Sequence, residues 1–330
     1  PSDPTWTGRD RFFLDPGHMS PMLYSGLCLR GFFSLEDLQQ FRQWGSVTPG
    51  HPELDVKRGI ENSSGPLGQG HAIAAGAAVA EKFLEARLGS TMMQHKIYAY
   101  ISDGAVEEEI SQGVGRIAGT LGLNNLIMFY DSNDIQLSTE CGVVMKEDTE
   151  MKYKAWGWNV IKINGNDVAQ IREALTEAQK ETERPTLIIG KTIMGKGALK
   201  ADGSSYEASI KTHGAPLGGE AYVNTIKHLG GDPENPFVIF DDVKELYAKR
   251  AEELKKIVAE RKANPEKAAQ MDEWFSGKAP KVDWSKVEQK EGSATRAASA
   301  ACLGVLAEQV PNMICASADL SNSDKTDGFL

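Results

Sequence analysis

Asp103 and Asn133 are the pair of residues from which a chemistry can be read. Each follows a short apolar run, 97–101 and 126–130, and each run ends in turn residues, Ser102-Asp103-Gly104 and Asp131-Ser132-Asn133-Asp134. Apolar residues recur between the runs at Ile110, Val114, Ile117 and Leu121, the spacing of one helix face. A strand–helix–strand unit of this length lays its strands parallel and close together. Their carboxyl ends then open on the crevice where open α/β sheets take ligands. There Asp103 offers a carboxylate, Asn133 an amide oxygen and Ile135 a backbone carbonyl, hard ligands that suit Mg²⁺ or Ca²⁺ and not zinc. Mg²⁺ held by few protein groups completes its octahedron with phosphate oxygens and water, so the pattern predicts a metal carrying a phosphorylated ligand. The same residue types also build ordinary turns.

Gly65, Gly68 and Gly70 run directly into a helix predicted over 71–88. Glycines before a helix expose backbone N–H groups at its positive end, a second component for an anion site, or simply a cap that packs closely. The spacing is neither a P-loop nor a dinucleotide fingerprint, so no nucleotide is implied. Of the six histidines, His71, His95 and His228 fall in helix or strand patterns and read as structural. His18, His51 and His213 fall in loops bounded by Gly and Pro, where side chains more often serve chemistry. Imidazoles suit donation to, and proton exchange with, hydroxyls near neutral pH.

The elements that must position these groups follow from the rest of the pattern. Residues 1–20 read as loop, and 22–30 as the start of a helix. Ser34 with Asp37 predicts a capped helix through LEDLQQFRQW. Residues 45–70 are a long Gly- and Pro-rich loop, of a length that is usually functional. Strands are predicted at 154–163 and 186–191, with a helix at 168–180 between them. Alternation of this kind makes an α/β fold, a doubly wound parallel sheet with helices on both faces. Residues 241–263 read as a charged surface helix and 276–292 as a linker. A new pattern begins at Ser293, with a helix at 294–309 and a strand at 313–317. The domains expected are 1–275, which holds the metal and its phosphorylated ligand, and 293–330, the beginning of a second α/β domain.

Composition narrows the class. The 330 residues, 41% hydrophobic and 25% charged, suffice for a substantial globular core. A net charge of −10 argues against nucleic acid or an anionic membrane as partner. No apolar run approaches the roughly 20 residues of a membrane span. Cys28, Cys141, Cys302 and Cys315 form no CxxC pair or disulfide framework, which predicts a reducing, cytoplasmic setting.

Asp103-Gly104, Glu108 five residues past the aspartate, and Asn133 together resemble the thiamine-diphosphate motif. The words around them resemble the transketolase family. They are DPGHMSP (15–21), VTPGHPE (47–53), SSGPLGQG (63–70), AGTLGLNNLIMFYDSNDIQL (118–137), KTIMGKG (191–197), THGAPLG (212–218) and SADL (317–320), in the family's order over nearly the whole chain. The resemblance implies the thiamine-diphosphate-binding fold, with the second domain being the pyrimidine-binding one. It also implies reversible transfer of a two-carbon ketol unit from a ketose phosphate to an aldose phosphate through the cofactor's ylid, a reaction of the pentose phosphate pathway.

By the same resemblance Gly65, Pro66 and Leu67 line the cofactor, and Gly104 and His18 contact its diphosphate. His213 lies between diphosphate and substrate, and His51 meets the donor sugar's hydroxyls. Glu108 joins a carboxylate network linking the two active sites of a homodimer, each built between subunits. Arg296 and Ser323 match phosphate-binding positions, and Asp319 an aspartate near the thiazolium ring. Guanidinium binds phosphate bidentately, as a phosphorylated sugar requires. Two positions depart from the family, Ser102 and Glu109, where glycine is usual. Glu109 leaves the functional glutamate open among Glu107, Glu108 and Glu109, with spacing from Asp103 favouring Glu108. The family's chains extend beyond both ends of this one, so the stretch alone is expected to lack the aminopyrimidine half of the site and to be inactive. The rivals are a deoxyxylulose-phosphate synthase or 2-oxo-acid dehydrogenase component, against which TPGHPE and THGAPLG count, and a module that binds Mg²⁺ and diphosphate without turnover.

Overall fold

The computed structural model describes residues 4, 6, 8–90, 95–255 and 264–329. The chain divides into two compact units, Pro1–Glu260 and Arg261–Leu330.

The first unit opens with β1 (Arg11–Leu14), inside the stretch read from sequence as loop. Its four residues are too few to show a period among Pro, Gly and Asp. They form a strand because they pair in parallel with β2 (Ile97–Ser102), Arg11 opposite Ile97 and Leu14 opposite Tyr100. Between these strands lie α1 (Ser20–Leu29), α2 (Leu35–Gln39) and α3 (Gln69–Leu88). The capping box of α2 forms as expected: Ser34 Oγ accepts from Asp37 N at 3.1 Å, and Asp37 Oδ2 accepts from Ser34 N at 2.8 Å. Such a cap contributes about 1 kcal/mol. The helix is nonetheless half the length expected, because the chain turns into the left-handed region at Arg42, whose N–H is taken by Thr48 O.

After β2 come α4 (Asp103–Glu107), α5 (Glu109–Thr120) and β3 (Leu126–Ser132). Then follow α6 (Cys141–Val144), α7 (Thr149–Ala155), β4 (Asn159–Asn164), α8 (Val168–Lys180) and β5 (Thr186–Lys191). The strand expected at 154–163 is thus the end of α7 followed by β4. The sheet is parallel throughout, in the order β1-β2-β3-β5-β4. Alternate strand residues face opposite ways. Ile97, Ala99, Ile101, Leu126, Met128 and Tyr130 meet the alanines of α3 and Ala118 of α5 on one face. Ile127 and Ile188 meet Ala174 and Ala178 of α8 on the other, while Leu14 packs with Tyr24 of α1. Each fully buried aliphatic side chain is worth about 1.5–3 kcal/mol relative to exposure.

Of the apolar face read on α5, only Val114 packs against the core. Ser111, Gly115 and Ala118 are buried, whereas Ile110, Ile117 and Leu121 are 46%, 57% and 55% exposed. Small residues face inward because α5 lies hard against the turn after α7: a Cβ on Gly119 would stand 1.8 Å from the Trp156 carbonyl oxygen.

The unit ends with α9 (Gly219–His228) and α10 (Asp241–Lys255); the charged run read over 241–263 continues outside the described residues. The second unit contains α11 (Pro265–Trp274), α12 (Thr295–Gln309) and α13 (Ser321–Asp324), with one short turn, Trp284–Lys286, in the stretch read as linker. The strand expected at 313–317 is not formed. A strand needs a partner ladder, and among the described residues of this unit none lies beside it. The described elements of the second unit are helices and turns. No helix among the described residues is long and apolar enough to cross a membrane.

Candidate active site

A cavity of about 590 Å³ lies at the carboxyl ends of β2, β3 and β5. It gathers His18, Gly65, Leu67, Asp103, Gly104, Asn133, Ile135 and His213, residues drawn from five separate stretches of sequence. Pro66 is exposed beside this wall and does not line it. Ser102, one of the two departures, also lines the cavity.

Asp103 directly follows β2 as the first residue of α4 and is 3% exposed. Its Oδ1 accepts from the Tyr130 hydroxyl at 2.6 Å, and its Oδ2 accepts from the N–H groups of Asn133 and Asp134, each at 3.0 Å. Burial raises its pKa; the Tyr130 and Asn133 bonds oppose this, and the charges of Asp134 and Asp131 add to it. No Lys or Arg among the described residues pairs with it, although Lys191 pairs with Asp134. Asn133 Oδ1 accepts from Ile135 N at 3.0 Å, closing a loop that the Ile135–Glu140 bridge extends. Asp103 Oδ1 and Asn133 Oδ1 each accept one of these bonds and keep a further lone pair, whereas Asp103 Oδ2 already accepts two. A buried carboxylate with acidic neighbours and no basic partner, beside an amide and a carbonyl oxygen, fits a hard divalent cation.

The histidines converge as well. The rings of His18 and His213 lie 5.0 Å apart, inclined at 38°. Burial lowers the pKa of His18, helped by His213 and His51, and burial lowers that of His213. Two neutral imidazoles therefore face the cavity, and Nδ1 of His213 is buried without a partner. His51 is exposed and is not part of the wall. It stands against Gly17, where a Cβ would come within 2.6 Å of His51 Cδ2.

The run Glu107–Glu109 does not continue one helix: it breaks at Glu108 (ψ 136°), which is exposed and outside the cavity. Its neighbour Glu107 instead accepts from Gln136 Nε2 at 2.5 Å. The first turn that carries the aspartate is that of α4. The anion site expected at the start of α3 is filled from within: Gly68 N and His71 N donate to the carboxylate of Asp15, each at 3.0 Å. A helix N-terminus takes the nearest anion, and here that anion is the protein's own.

Asp15 is one residue that sequence reasoning missed. Another is Asp131, a buried residue of the cavity wall that accepts from Thr192 Oγ1. Its place in the same acidic turn as Asn133 was the available signal. Of the histidines read as structural, His71 is fully buried, His95 lies with Nδ1 2.7 Å from Glu81 Oε1, and His228 is exposed at the end of α9. Arg296, Asp319 and Ser323 belong to the second unit, where all three are exposed.

A family model described as "Transketolase, thiamine diphosphate binding domain" matches residues 1–280. A transketolase of Halalkalibacterium halodurans is 40% identical over 343 residues, covering 99% of this chain and 50% of that protein. Transketolase-1, chloroplastic, of Arabidopsis thaliana is 40% identical, covering 99% and 46%. Among solved structures, a transketolase from Campylobacter jejuni superposes with a TM-score of 0.86 at 38% identity, over 98% of this chain and 51% of that one. A transketolase complex with sedoheptulose-7-phosphate from Pichia stipitis superposes with 0.87 at 33% identity, over 99% and 50%. The chain spans about half the length of the relatives it matches.

Proposed function

This chain belongs to the transketolase family, and on that premise we propose that the protein transfers a two-carbon ketol unit from a ketose phosphate to an aldose phosphate, a reaction of the pentose phosphate pathway. The observation that carries the proposal is the single cavity that gathers Asp103, Asn133 and Ile135 with His18 and His213. Sugar phosphates are the substrates because the Pichia stipitis relative was captured with one. Thiamine diphosphate, when bound, supplies the carbanion chemistry that opens and closes carbon–carbon bonds.

The residues of this chain do the rest. Asp103, the Asn133 side-chain oxygen and the Ile135 carbonyl hold Mg²⁺ or Ca²⁺, which neutralises the diphosphate. Gly104 lets the chain come close: a Cβ there would stand 3.0 Å from Leu67 Cδ1. A neutral His18 donates to the diphosphate from one ring nitrogen, and a neutral His213 donates or accepts between diphosphate and sugar. His51, at the rim, meets the donor's hydroxyls, and Arg296 and Ser323 hold the sugar phosphate, with Asp319 beside the thiazolium ring. The four cysteines are all free, which supports a reducing, cytoplasmic setting.

In the whole, cofactor-loaded protein, His51→Ala is expected to lower kcat by about 10²-fold or more with cofactor affinity unchanged. Arg296→Ala is expected to raise KM for phosphorylated sugars at least about tenfold, because it removes binding common to ground and transition states. Steady-state assays with phosphorylated and unphosphorylated donors separate the two. A loaded parent protein that forms no ketol-transfer product would overturn the function itself.

We further propose a homodimer with active sites between subunits. The exposed Ile110, Ile117 and Leu121 of α5, with Ile73 exposed on the neighbouring α3, form an apolar face beside Glu108. Paired across a two-fold axis such a face is self-complementary, and it would bring Glu108 toward its counterpart. Ile117→Glu with Leu121→Lys should give monomers in analytical ultracentrifugation; an unchanged dimer in that variant would place the interface elsewhere.

A further inference from the structure

We propose that Asp15 and His71 form a buried clamp that positions His18 and the wall at Gly65 and Leu67. Both side chains are fully shielded from solvent. Asp15 Oδ1 accepts from Gly68 N at 3.0 Å; its Oδ2 accepts from His71 N at 3.0 Å and lies 3.3 Å from His71 Nδ1. No Lys or Arg among the described residues pairs with it, so these N–H groups and the helix end are what hold the carboxylate in the core. The other ring nitrogen of His71, Nε2, is buried with no partner. An aliphatic residue would fill that space without leaving a polar atom unpaired, so packing alone does not account for a histidine at this position. The bond to Asp15 does. The approach is also tight, since a Cβ on Gly70 would stand 2.6 Å from Asp15 Cα.

The clamp acts through the chain on either side of it. Asp15 N donates to Tyr100 O of β2 at 3.0 Å, and Asp15 O accepts from Ser64 Oγ at 2.6 Å. Two residues on, Gly17 presses on Ser64 and Gly65, where a Cβ would find backbone atoms at 3.0 Å. Residues 15–18 and 64–68 are thereby one block, and that block carries His18, Gly65 and Leu67 onto the cavity. The titratable groups facing His18 are His213, whose ring lies 5.0 Å away, and His51. If the clamp is released, the block shifts and His18 moves away from both and into water. Neither Asp15 nor His71 lines the cavity, so they are positioning residues.

The consequence for the cofactor rests on the function proposed above; the clamp does not, and its test uses the protein without cofactor. The pH dependence of hydrogen exchange at the His18 imidazole carbon, read by peptide mass spectrometry, reports the protonation of that ring. His71→Ala should move the titration of His18 upward, toward that of a solvated histidine. His71→Asn places an amide N–H where Nδ1 stands and should keep the titration depressed; His71→Gln, which reaches the Nε2 position instead, should behave as alanine does. Binding of thiamine diphosphate with Mg²⁺ should weaken about tenfold in the alanine and glutamine variants, the lower end of what loss of a ligand-orienting partner costs. An unchanged His18 titration in folded His71→Ala overturns the clamp. If the alanine variant does not fold, identical His18 titrations in the asparagine and glutamine variants overturn it.

Discussion

Asp103→Ala is expected to abolish metal-dependent binding of thiamine diphosphate while the protein keeps its fold. The carboxylate is the only charged group among the three proposed metal ligands, and it stands at the meeting of β2 with the 133–135 loop. The loss should exceed the 10–100-fold or so that removal of an outer partner of a metal ligand costs. The cost to stability is small for a stated reason. The variant gives up three hydrogen bonds, but it also removes a buried carboxylate that no basic side chain among the described residues neutralises. The side chain lines a cavity, so water reaches the groups left behind, and the net change should be about 1–2 kcal/mol. The sign of its pH dependence follows from burial, which raises the pKa of Asp103 in the folded state. A raised carboxylate penalises the fold at neutral pH and is relieved as pH falls through the raised value. The variant should therefore lose least near pH 7 and more toward about pH 4. Calorimetry with Mg²⁺ and the cofactor, beside urea unfolding at the two pH values, measures both effects. Undiminished cofactor affinity in Asp103→Ala would remove this residue from the metal site.

Gly119→Ala is expected to destabilise the protein by more than about 3 kcal/mol, the upper end of overpacking. The added Cβ would lie 1.8 Å from the Trp156 carbonyl oxygen and 3.3 Å from Trp158 Cδ1. Neither neighbour can give way cheaply. Trp156 N is bonded to Lys152 O and Tyr153 O, Gly157 is in the left-handed region at φ +86°, and Trp158 Nε1 donates to Gly115 O at 2.8 Å on α5 itself. Relief therefore requires that α5 lift from the sheet. Gly26→Ala is the control. It is also a helical glycine, in α1, but a Cβ there meets nothing within 4 Å, so it should stabilise by up to about 1 kcal/mol. Chemical denaturation of the three proteins decides the matter, and a Gly119→Ala protein as stable as its parent would mean that the α5–Trp156 contact is looser than described.

Legibility in the sequence followed local signals. Helix α8 and strand β5 were read to their ends because Asp167 caps the one and a run of Leu, Ile and Ile fills the other. The oxygen ligands and the loop histidines were read from residue type and loop position, and the cavity gathers them except for His51, which does not line it. What failed depended on partners distant in sequence. Strand β1 is visible only through its pairing with β2. On α5 the period was read correctly, but periodicity does not say which side the core takes: Ile110, Ile117 and Leu121 are exposed and only Val114 of that face packs on the core. Asp15 was quoted within a motif but given no role, since its donors lie at Gly68 and His71. The break at Glu108 is invisible in a run of three glutamates that each favour a helix.

The pairing of β1 also ties the cavity together across the longest loop that the sheet closes. β2 and β3, and β4 and β5, are each joined by a single crossover, and β3 meets β5 across α6, α7, β4 and α8. β1 meets β2 across the whole of α1, α2, α3 and the loops between them, and chain closure grows slowly more costly with the length enclosed. The wall that carries Asp103, Asn133 and Ile135 and the wall that carries His18, Gly65 and Leu67 are joined through that pairing. A ligand that touches both walls binds only a chain in which β1 has docked, so its binding energy stabilises that docking.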